Sequence, residues 1–379
     1  MENPFVCRAD LFRLAALRHK LHVPGRILNL QLPQSVTQLD RAASGFAFVS
    51  DIDKTYLATQ IDSISGLFRA AFENPERKKN VPGFSTLLRA LRRGAGAEPQ
   101  SNPLWFVSAS PPQLLPKLIE KMKIDGVNHD GLILKDQWAQ IRRGQFRRLR
   151  EHIGFKLAAL LALWSESPPN LKWILFGDDS EADPIVFSLF GEILALNIRG
   201  AALNSLLHDM GVHRDDATRI AWFSRRFTQA AFPVRAAFIN LETMSNPKYY
   251  PRLSPVLRPS ENALQMAISL FESLLIRDRA VKTIARELVL NFDMSPRVLG
   301  DSLERGADWG LYSTATLDRV WTLLASEGWL PLPSAPDPAR VAARKAFPTL
   351  DVEVQPLRYS LAAIRRRYLD DFRYDSVPR

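Results

Sequence analysis

The feature that most constrains the fold is a short apolar run that ends in two aspartates. Residues 46–55 read FAFVSDIDKT, so a predicted strand stops at the pattern Asp-x-Asp-x-Thr formed by Asp51, Asp53 and Thr55. A buried strand that delivers carboxylates to its carboxyl end is typical of parallel α/β sheets, whose sites form where the strands end. Taken alone, the aspartates also suit the start of a helix, where Asp is a preferred cap.

Three later segments supply further polar groups in a fixed order. The apolar run 105–107 ends at Ser108, Lys156 lies in the helical pattern HIGFKLAALLALW, and the apolar run 173–176 ends in GDDSEADP. Two of these residues have a structural alternative. Ser108 can begin a proline-containing helix, and Lys156 can extend its charge from an apolar helix to the surface. The order strand-Asp, strand-Ser, helix-Lys and strand-Gly-Asp-Asp nevertheless indicates a single site.

This order resembles the haloacid dehalogenase superfamily of phosphatases. Its details resemble the phosphatidate phosphatase catalytic domain first associated with actin-patch proteins, and its bacterial relatives. That family typically reads DIDDT, VSNSPWQL, HK and LIGDSGExDPEIY, where this chain has DIDKT, VSASPPQL, FK and LFGDDSEADPIVF. The similarity runs from about residue 45 to 200, and the chain departs from the pattern at Lys54, Ala109 and Phe155. None of these three departures removes a group that the general mechanism needs.

The resemblance and the chemistry of phosphoester hydrolysis together assign roles to the motif residues. Asp51 is the predicted nucleophile that forms an aspartyl-phosphate, and Asp53 is the predicted general acid and base. A magnesium ion and Lys156 reduce the repulsion between a carboxylate and a phosphate dianion. Thr55 and Ser108 complete the catalytic set, with the Ser108 hydroxyl donating to a phosphate oxygen.

The predicted magnesium ligands are all aspartates from the first and last motifs. They are Asp51, Asp53, Asp178, Asp179 and Asp183. Asp179 and Asp183 are alternatives for the same coordination position, because Asp183 also suits the cap of a helix that begins at Pro184.

The formal net charge of +10 favours anionic partners without identifying one. The densest run, residues 135–156, holds seven basic and two acidic residues, which suits either a solvated helix face or a substrate-binding surface. The resemblance implies an anionic phosphorylated substrate, phosphatidate or a similar lipid phosphate, met at a membrane surface. A nucleic-acid end or a phosphoprotein is the alternative substrate, since a basic patch attracts any polyanion. A non-catalytic binding module on the same fold is the third possibility.

Composition and spacing bound the rest of the chain. One cysteine excludes a disulfide framework and a cysteine-rich zinc site. The sequence shows neither a signal peptide nor an apolar run of about 20 residues. These observations together predict a cytoplasmic protein that is at most peripheral to a membrane. Intervals of about fifty residues between motifs are filled by the crossovers of the sheet, so no large cap is expected.

The predicted fold class is therefore α/β: a Rossmann-like parallel sheet of the haloacid dehalogenase type without a large cap, followed by a mainly helical C-terminal region. The predicted segments are a helical and basic N-terminus at 1–40, with an amphipathic helix at 8–21; the phosphatase-like domain at 41–250, with later strands at 193–198 and 235–240; a helical accessory domain at 260–330; and a linker with a C-terminal basic helix at 331–379.

Overall fold

Six parallel strands form the central sheet of the computed structural model, which describes residues 18–23, 26–41, 43–58, 80–110, 112–135, 150–332 and 338–355. A separate antiparallel pair precedes the sheet and consists of β1 (Arg18–Val23) and β2 (Arg26–Pro33). The sheet strands are β3 (Gly45–Ser50), β4 (Leu104–Ser108), β5 (Gly131–Leu134), β6 (Leu171–Asp178), β7 (Val234–Asn240) and β8 (Leu257–Ser260). Their order is β5-β4-β3-β6-β7-β8, and every neighbouring pair is parallel. The predicted α/β fold class, with a parallel sheet and a mainly helical C-terminal region, is confirmed.

Helices connect the strands and cover both faces of the sheet. In chain order they are α1 (Gln34–Gln38), α2 (Phe84–Arg93), α3 (Leu115–Ile124), α4 (Arg150–Glu166), α5 (Asp183–Leu194), α6 (Gly200–Asp209), α7 (Arg214–Arg226), α8 (Tyr250–Leu253), α9 (Ala263–Glu272), α10 (Asp278–Asn291), α11 (Pro296–Asp308), α12 (Thr314–Ser326) and α13 (Pro338–Ala343). Among the residues described, no helix combines the length and apolarity needed to cross a bilayer.

The central strands are continuous apolar runs because both of their faces are buried. Alternate residues of one strand enter opposite cores: Phe48 packs with α2, α3 and the C-terminal helices, whereas Val49 packs with α4 to α8. Trp173 and Ile174 divide between the two cores in the same way on β6. Strands of this kind are typical of parallel sheets covered by helices on both sides, which accounts for the strong sequence signal of β3, β4 and β6.

The strand order reverses between β3 and β6. From β3 the chain continues outward to β4 and β5, and then returns through α4 to β6 on the other side of β3. In such sheets, ligands bind beyond the carboxyl ends of the strands at this switch point. Asp51, directly after β3, and Asp178, the last residue of β6, are placed there by the topology alone.

Several expectations about the flanking regions change. The strand predicted at 193–198 is wrong: Ile193 and Leu194 are the last residues of α5, which is buried almost all round, and residues 195–198 form the turn after it. Periodicity does not separate a buried helix from a buried strand. The strand predicted at 235–240 is confirmed as part of β7, and the helical stretch 201–227 forms α6 and α7. In the segment 1–40, the described part forms the β1 and β2 pair followed by the short helix α1, so residues 18–21 of the helix predicted at 8–21 are in a strand, while residues 8–17 lie outside the described residues.

The C-terminal helices are continuous with the sheet. β8 is its sixth strand, and α9 to α12 share one core with β3, β4, β6 and β7, so residues 260–330 cover one face of the sheet. The buried Leu264 and Ile268 of α9 belong to that core. Most of the basic run at 135–156, residues 59–79 of the interval between the first and second motifs, and the predicted C-terminal helix lie outside the described residues.

Candidate active site

Asp51 lies at the centre of the carboxyl edge of the sheet, and its carboxylate is buried. Its backbone N–H donates to the carbonyl of Phe176 at 2.9 Å, which extends the pairing of β3 and β6 up to the site. Among the described residues, neither oxygen of its carboxylate receives a hydrogen bond, although the Nζ atom of Lys156 lies 3.0 Å from Oδ2. Burial raises the pKa of the Asp51 carboxyl well above its usual range, and Lys156 offsets this only in part.

Asp178 and Asp183 bring two further carboxylates to Asp51. One oxygen from each of the three lies within 4.8 Å of the others, and all three side chains are buried. Burial of several like charges is costly unless a cation joins them. Carboxylate oxygens are the ligands that magnesium and calcium prefer, and the oxygens of Asp51, which accept no hydrogen bond from the described residues, leave lone pairs for such an ion.

The turn after β6 is built around the carboxylate of Asp178. Its Oδ1 atom accepts the N–H groups of Ser180 at 2.7 Å and Glu181 at 3.1 Å, and the hydroxyl of Ser180 also donates to it. The hydroxyl of Thr55 lies 3.5 Å from the other oxygen. Burial and the nearby charges of Asp183 and Glu181 raise the pKa of Asp178 to about 8.

Asp183 is the first residue of α5, and its carboxylate packs against the backbone of β6. It accepts the N–H of Asp178 at 3.2 Å, and a Cβ atom at Gly177 would lie 2.6 Å from the Cβ of Asp183. The glycine of the Gly-Asp-Asp motif is therefore needed for the close approach of Asp183. Asp183 does not provide a side-chain cap to α5.

Asp179 points away from the other aspartates. Its carboxylate accepts the N–H and hydroxyl of Thr243 at 2.7 and 2.8 Å, and those of Ser245 at 3.1 and 2.6 Å. These four bonds tie the end of β6 to the loop after β7. Of the two alternatives left open by the sequence, the geometry therefore favours Asp183 as the ligand and gives Asp179 a structural role.

Lys156 lies on the inner side of α4 and is only 2% exposed. Its Nζ atom donates to Glu181 at 2.7 Å and to Asp183 at 2.5 Å, in addition to its contact with Asp51. Burial lowers the pKa of the lysine, but the surrounding carboxylates outweigh this and raise it well above its usual value. Because α4 is buried around Lys156, the lysine does not extend its charge to the surface.

Asp53 lies beside the triad and contacts the second motif instead. Its Oδ2 atom accepts the hydroxyls of Ser108 at 3.2 Å and Ser110 at 2.6 Å, and the Ser108 oxygen accepts the N–H of Ser110. The carboxylate of Asp53 is not among the three that converge, so its role as a metal ligand stays a prediction from the sequence. Lys54 has a φ of 55°, and its carbonyl accepts from the side chain of Asn240 on β7 at 3.1 Å.

Glu181 was not predicted as a site residue from the sequence. Besides its bond to Lys156, its Oε2 atom lies 3.6 Å from the Nδ1 atom of His152, one turn earlier on α4. Burial raises the pKa of Glu181, but Lys156 and His152 outweigh it and hold the pKa below its usual range. The sequence did contain a signal for this residue, because Glu181 in LFGDDSEADPIVF aligns with the glutamate of the family pattern LIGDSGExDPEIY.

The comparisons with known proteins agree with this geometry. Residues 46–199, a stretch shorter than half of the chain, match the family described as phosphatidate phosphatase APP1, catalytic domain. The matched stretch contains all four motifs, which confirms the resemblance predicted from them and supports a phosphatase enzyme. No significant match was found among curated proteins or among solved structures.

Proposed function

We propose that this chain, which matches a phosphatidate phosphatase catalytic domain at residues 46–199, is a magnesium-dependent hydrolase of phosphomonoesters that acts on phosphatidate or a similar lipid phosphate. The observation that carries the proposal is the buried triad Asp51, Asp178 and Asp183 beside Lys156. Four carboxylates, those of the triad and Glu181, face a single ammonium group there. A surplus of buried negative charge suits a site that takes up a cation before it binds a phosphate.

The donor set fits a hard divalent cation. Asp51, Asp178 and Asp183 would hold the ion through oxygen atoms, which magnesium prefers. When bound, the ion would offset the charge of the phosphate dianion and polarise a phosphoryl oxygen.

The residues of the chain account for the two chemical steps. In the first, an oxygen of Asp51 attacks phosphorus and forms an aspartyl-phosphate, the ester P–O bond breaks, and Asp53 donates a proton to the leaving oxygen. In the second, Asp53 accepts a proton from a water molecule whose oxygen attacks phosphorus, so that phosphate and the free Asp51 carboxylate are regenerated. Lys156 lies close enough to Asp51 to offset negative charge in both steps.

The hydrogen bonds of Asp53 support this division of labour. The hydroxyls of Ser108 and Ser110 both donate to its Oδ2 atom, which fixes the orientation of the carboxylate next to Asp51. A proton donor contributes most when it is held in place before the reaction. In this arrangement Ser108 acts by positioning Asp53, in addition to the predicted contact with a phosphate oxygen.

The first experiment measures hydrolysis of p-nitrophenyl phosphate with magnesium and with excess chelator. Asp51→Asn removes the nucleophile and is expected to abolish nearly all turnover, and the chelator is expected to do the same to the wild type. Asp301→Asn, the same change at an exposed position on α11, is the matched control and should retain full activity. Undiminished activity of the Asp51 variant would exclude the nucleophile assignment.

A second experiment distinguishes lipid from nucleic-acid substrates. The arginines at 142, 143, 147 and 148 lie outside the described residues, and their role remains a prediction from the sequence. If they hold the enzyme on an anionic surface, turnover on phosphatidate vesicles should fall with salt more steeply than turnover on the small ester, because charge contacts are screened over about 10 Å at 0.1 M. Replacing the four arginines with glutamine should weaken only the vesicle activity. Activity on a 5′-phosphorylated oligonucleotide without activity on vesicles would favour the alternative substrate.

A further inference from the structure

Lys156 is surrounded by carboxylates on the side that faces the site. A lysine ammonium has three N–H donors. In this structure it donates to Glu181 at 2.7 Å and to Asp183 at 2.5 Å, and it lies 3.0 Å from an oxygen of Asp51. Two of these carboxylates bind the ammonium by hydrogen bonds and the third by an ion pair, so a phosphoryl oxygen that approaches the ammonium from this side competes with them.

Two of the three carboxylates are fixed. The side chains of Asp51 and Asp183 are 3% and 0% exposed. Asp51 directly follows a central strand, and Asp183 accepts a backbone N–H of β6 in addition to its bond with Lys156. Both also belong to the triad that would hold the metal ion. Neither can leave Lys156 without loss of the site itself.

Glu181 is the most exposed of the three carboxylates around Lys156. It lies on the turn between β6 and α5, its side chain is 18% exposed, and it is one methylene longer than an aspartate. The Nδ1 atom of His152 is 3.6 Å from the same glutamate oxygen, and the His152 side chain is 28% exposed. His152 and Lys156 are four residues apart on α4 and therefore lie on one face of the helix, within reach of the same carboxylate.

We propose that Glu181 occupies the position on Lys156 that a phosphoryl oxygen of the substrate takes, and that substrate binding moves its carboxylate from Lys156 toward His152. The inference rests on the proposed phosphatase function and concerns the regulation of substrate binding at that site. Glu181 is a positioning residue: before substrate binds, it holds Lys156 between Asp51 and Asp183. Its displacement is a cost of binding, so Glu181 weakens the affinity for phosphate.

Glu181→Gln tests the proposal, because glutamine keeps the size of the side chain but removes the charge that competes with phosphate. The measurement is the dissociation constant of inorganic phosphate in the presence of magnesium, by calorimetry or phosphorus NMR, which does not depend on turnover. Binding should become roughly tenfold tighter, the size expected for loss of a charged hydrogen-bond competitor. The KM for p-nitrophenyl phosphate should fall in parallel. Glu166→Gln, at the opposite end of α4, is the control and should change neither quantity.

His152 provides a second test that does not depend on the first variant. His152→Ala removes the group that receives the displaced carboxylate, so it should weaken phosphate binding severalfold in the wild type. The same change should have no effect in the Glu181→Gln background, where there is no charged side chain to receive. Equal effects of His152→Ala in both backgrounds would overturn the proposal, as would weaker phosphate binding by Glu181→Gln.

The outcomes also separate this inference from the proposed function. A wild type that binds phosphate and hydrolyses p-nitrophenyl phosphate, combined with weaker phosphate binding by Glu181→Gln, would refute the displacement of Glu181 and leave the phosphatase assignment intact. A wild type that neither binds phosphate nor hydrolyses any phosphomonoester would refute both.

Discussion

Lys156 is the residue whose removal should have the largest combined effect on stability and activity. Lys156→Met keeps an unbranched side chain, one heavy atom shorter, with most of its apolar contacts, but removes the ammonium from among Asp51, Glu181 and Asp183. Breaking a buried ion pair by removing one partner typically costs about 3 to 5 kcal/mol, because the remaining charge is left buried without compensation. Since Lys156 is 2% exposed and has three carboxylate neighbours, we expect a loss in that range at pH 8 in chelator.

The loss should depend on pH. Burial already raises the pKa values of Asp51, Asp178 and Asp183, so these groups can take up protons once the lysine is gone. At pH 5 protonation replaces part of the missing positive charge, and the destabilisation should be smaller than at pH 8. The assay is urea unfolding followed by circular dichroism at both pH values, together with hydrolysis of p-nitrophenyl phosphate, which should be nearly abolished.

The control for this experiment is Lys282→Met on α10. The Nζ atom of Lys282 lies 3.0 Å from Glu327, but both side chains are more than a third exposed. Exposed pairs of this kind contribute at most about 1 kcal/mol, so this variant should remain close to the wild type at both pH values. A loss for Lys156→Met no larger than that of the control would refute the reasoning about the buried cluster. An equal loss at pH 5 and pH 8 would refute the part played by protonation.

Three further predictions concern other residues of the site. Asp53→Asn should lower turnover by roughly 10² to 10⁴, with the smallest loss for esters that have good leaving groups, since these scarcely need protonation; equal losses across a leaving-group series would argue against an acid role. The stability of the metal-free protein should fall as the pH rises from about 4 to about 8, because the folded state holds a proton on Asp178, with its pKa of about 8, more tightly than the unfolded chain does. Thermal unfolding in chelator measures this, and magnesium or Asp178→Asn should flatten the curve; a flat curve for the wild type in chelator would contradict the prediction. Gly177→Ala should destabilise the protein by about 1 to 3 kcal/mol, as expected for overpacking, and should weaken magnesium binding measured by calorimetry, because the new methyl group would displace Asp183; unchanged binding would mean that Asp183 is not a ligand.

The sequence by itself determined which strands carry the site. β3, β4 and β6 are apolar runs buried on both faces, so they are visible without an alignment, and each ends in a polar residue. Because parallel strands bring their carboxyl ends to one edge, the order of the motifs predicts that Asp51, Ser108 and Asp178 lie at the same edge of the sheet. The fold class and the family followed from the same residues.

Only the tertiary structure decided how the polar side chains divide their contacts. Asp179 and Asp183 are the same type of residue, so the sequence does not separate their roles. The start of α5 places Asp183 in the site, whereas the loop after β7 surrounds Asp179 with four hydrogen-bond donors. Glu181 and His152 meet because the turn after β6 lies over α4, a contact between segments that are distant in the sequence. The direction in which a side chain points beyond the end of a strand depends on such long-range contacts and not on local periodicity.

The errors in the flanking regions have the same cause, because local sequence patterns do not report long-range packing. The run at 193–198 consists of the last two residues of α5, which is buried on nearly every side, and of the buried or half-buried turn that follows. A buried helix end has no periodicity to distinguish it from a strand. β8 contains Pro259 and has only four residues, so its place as the sixth strand follows from pairing with β7 rather than from propensity. Short-range pattern thus determined the strands that form the centre of the sheet. Long-range packing decided its edge, the position of the C-terminal helices and the partners of each charged group around Lys156.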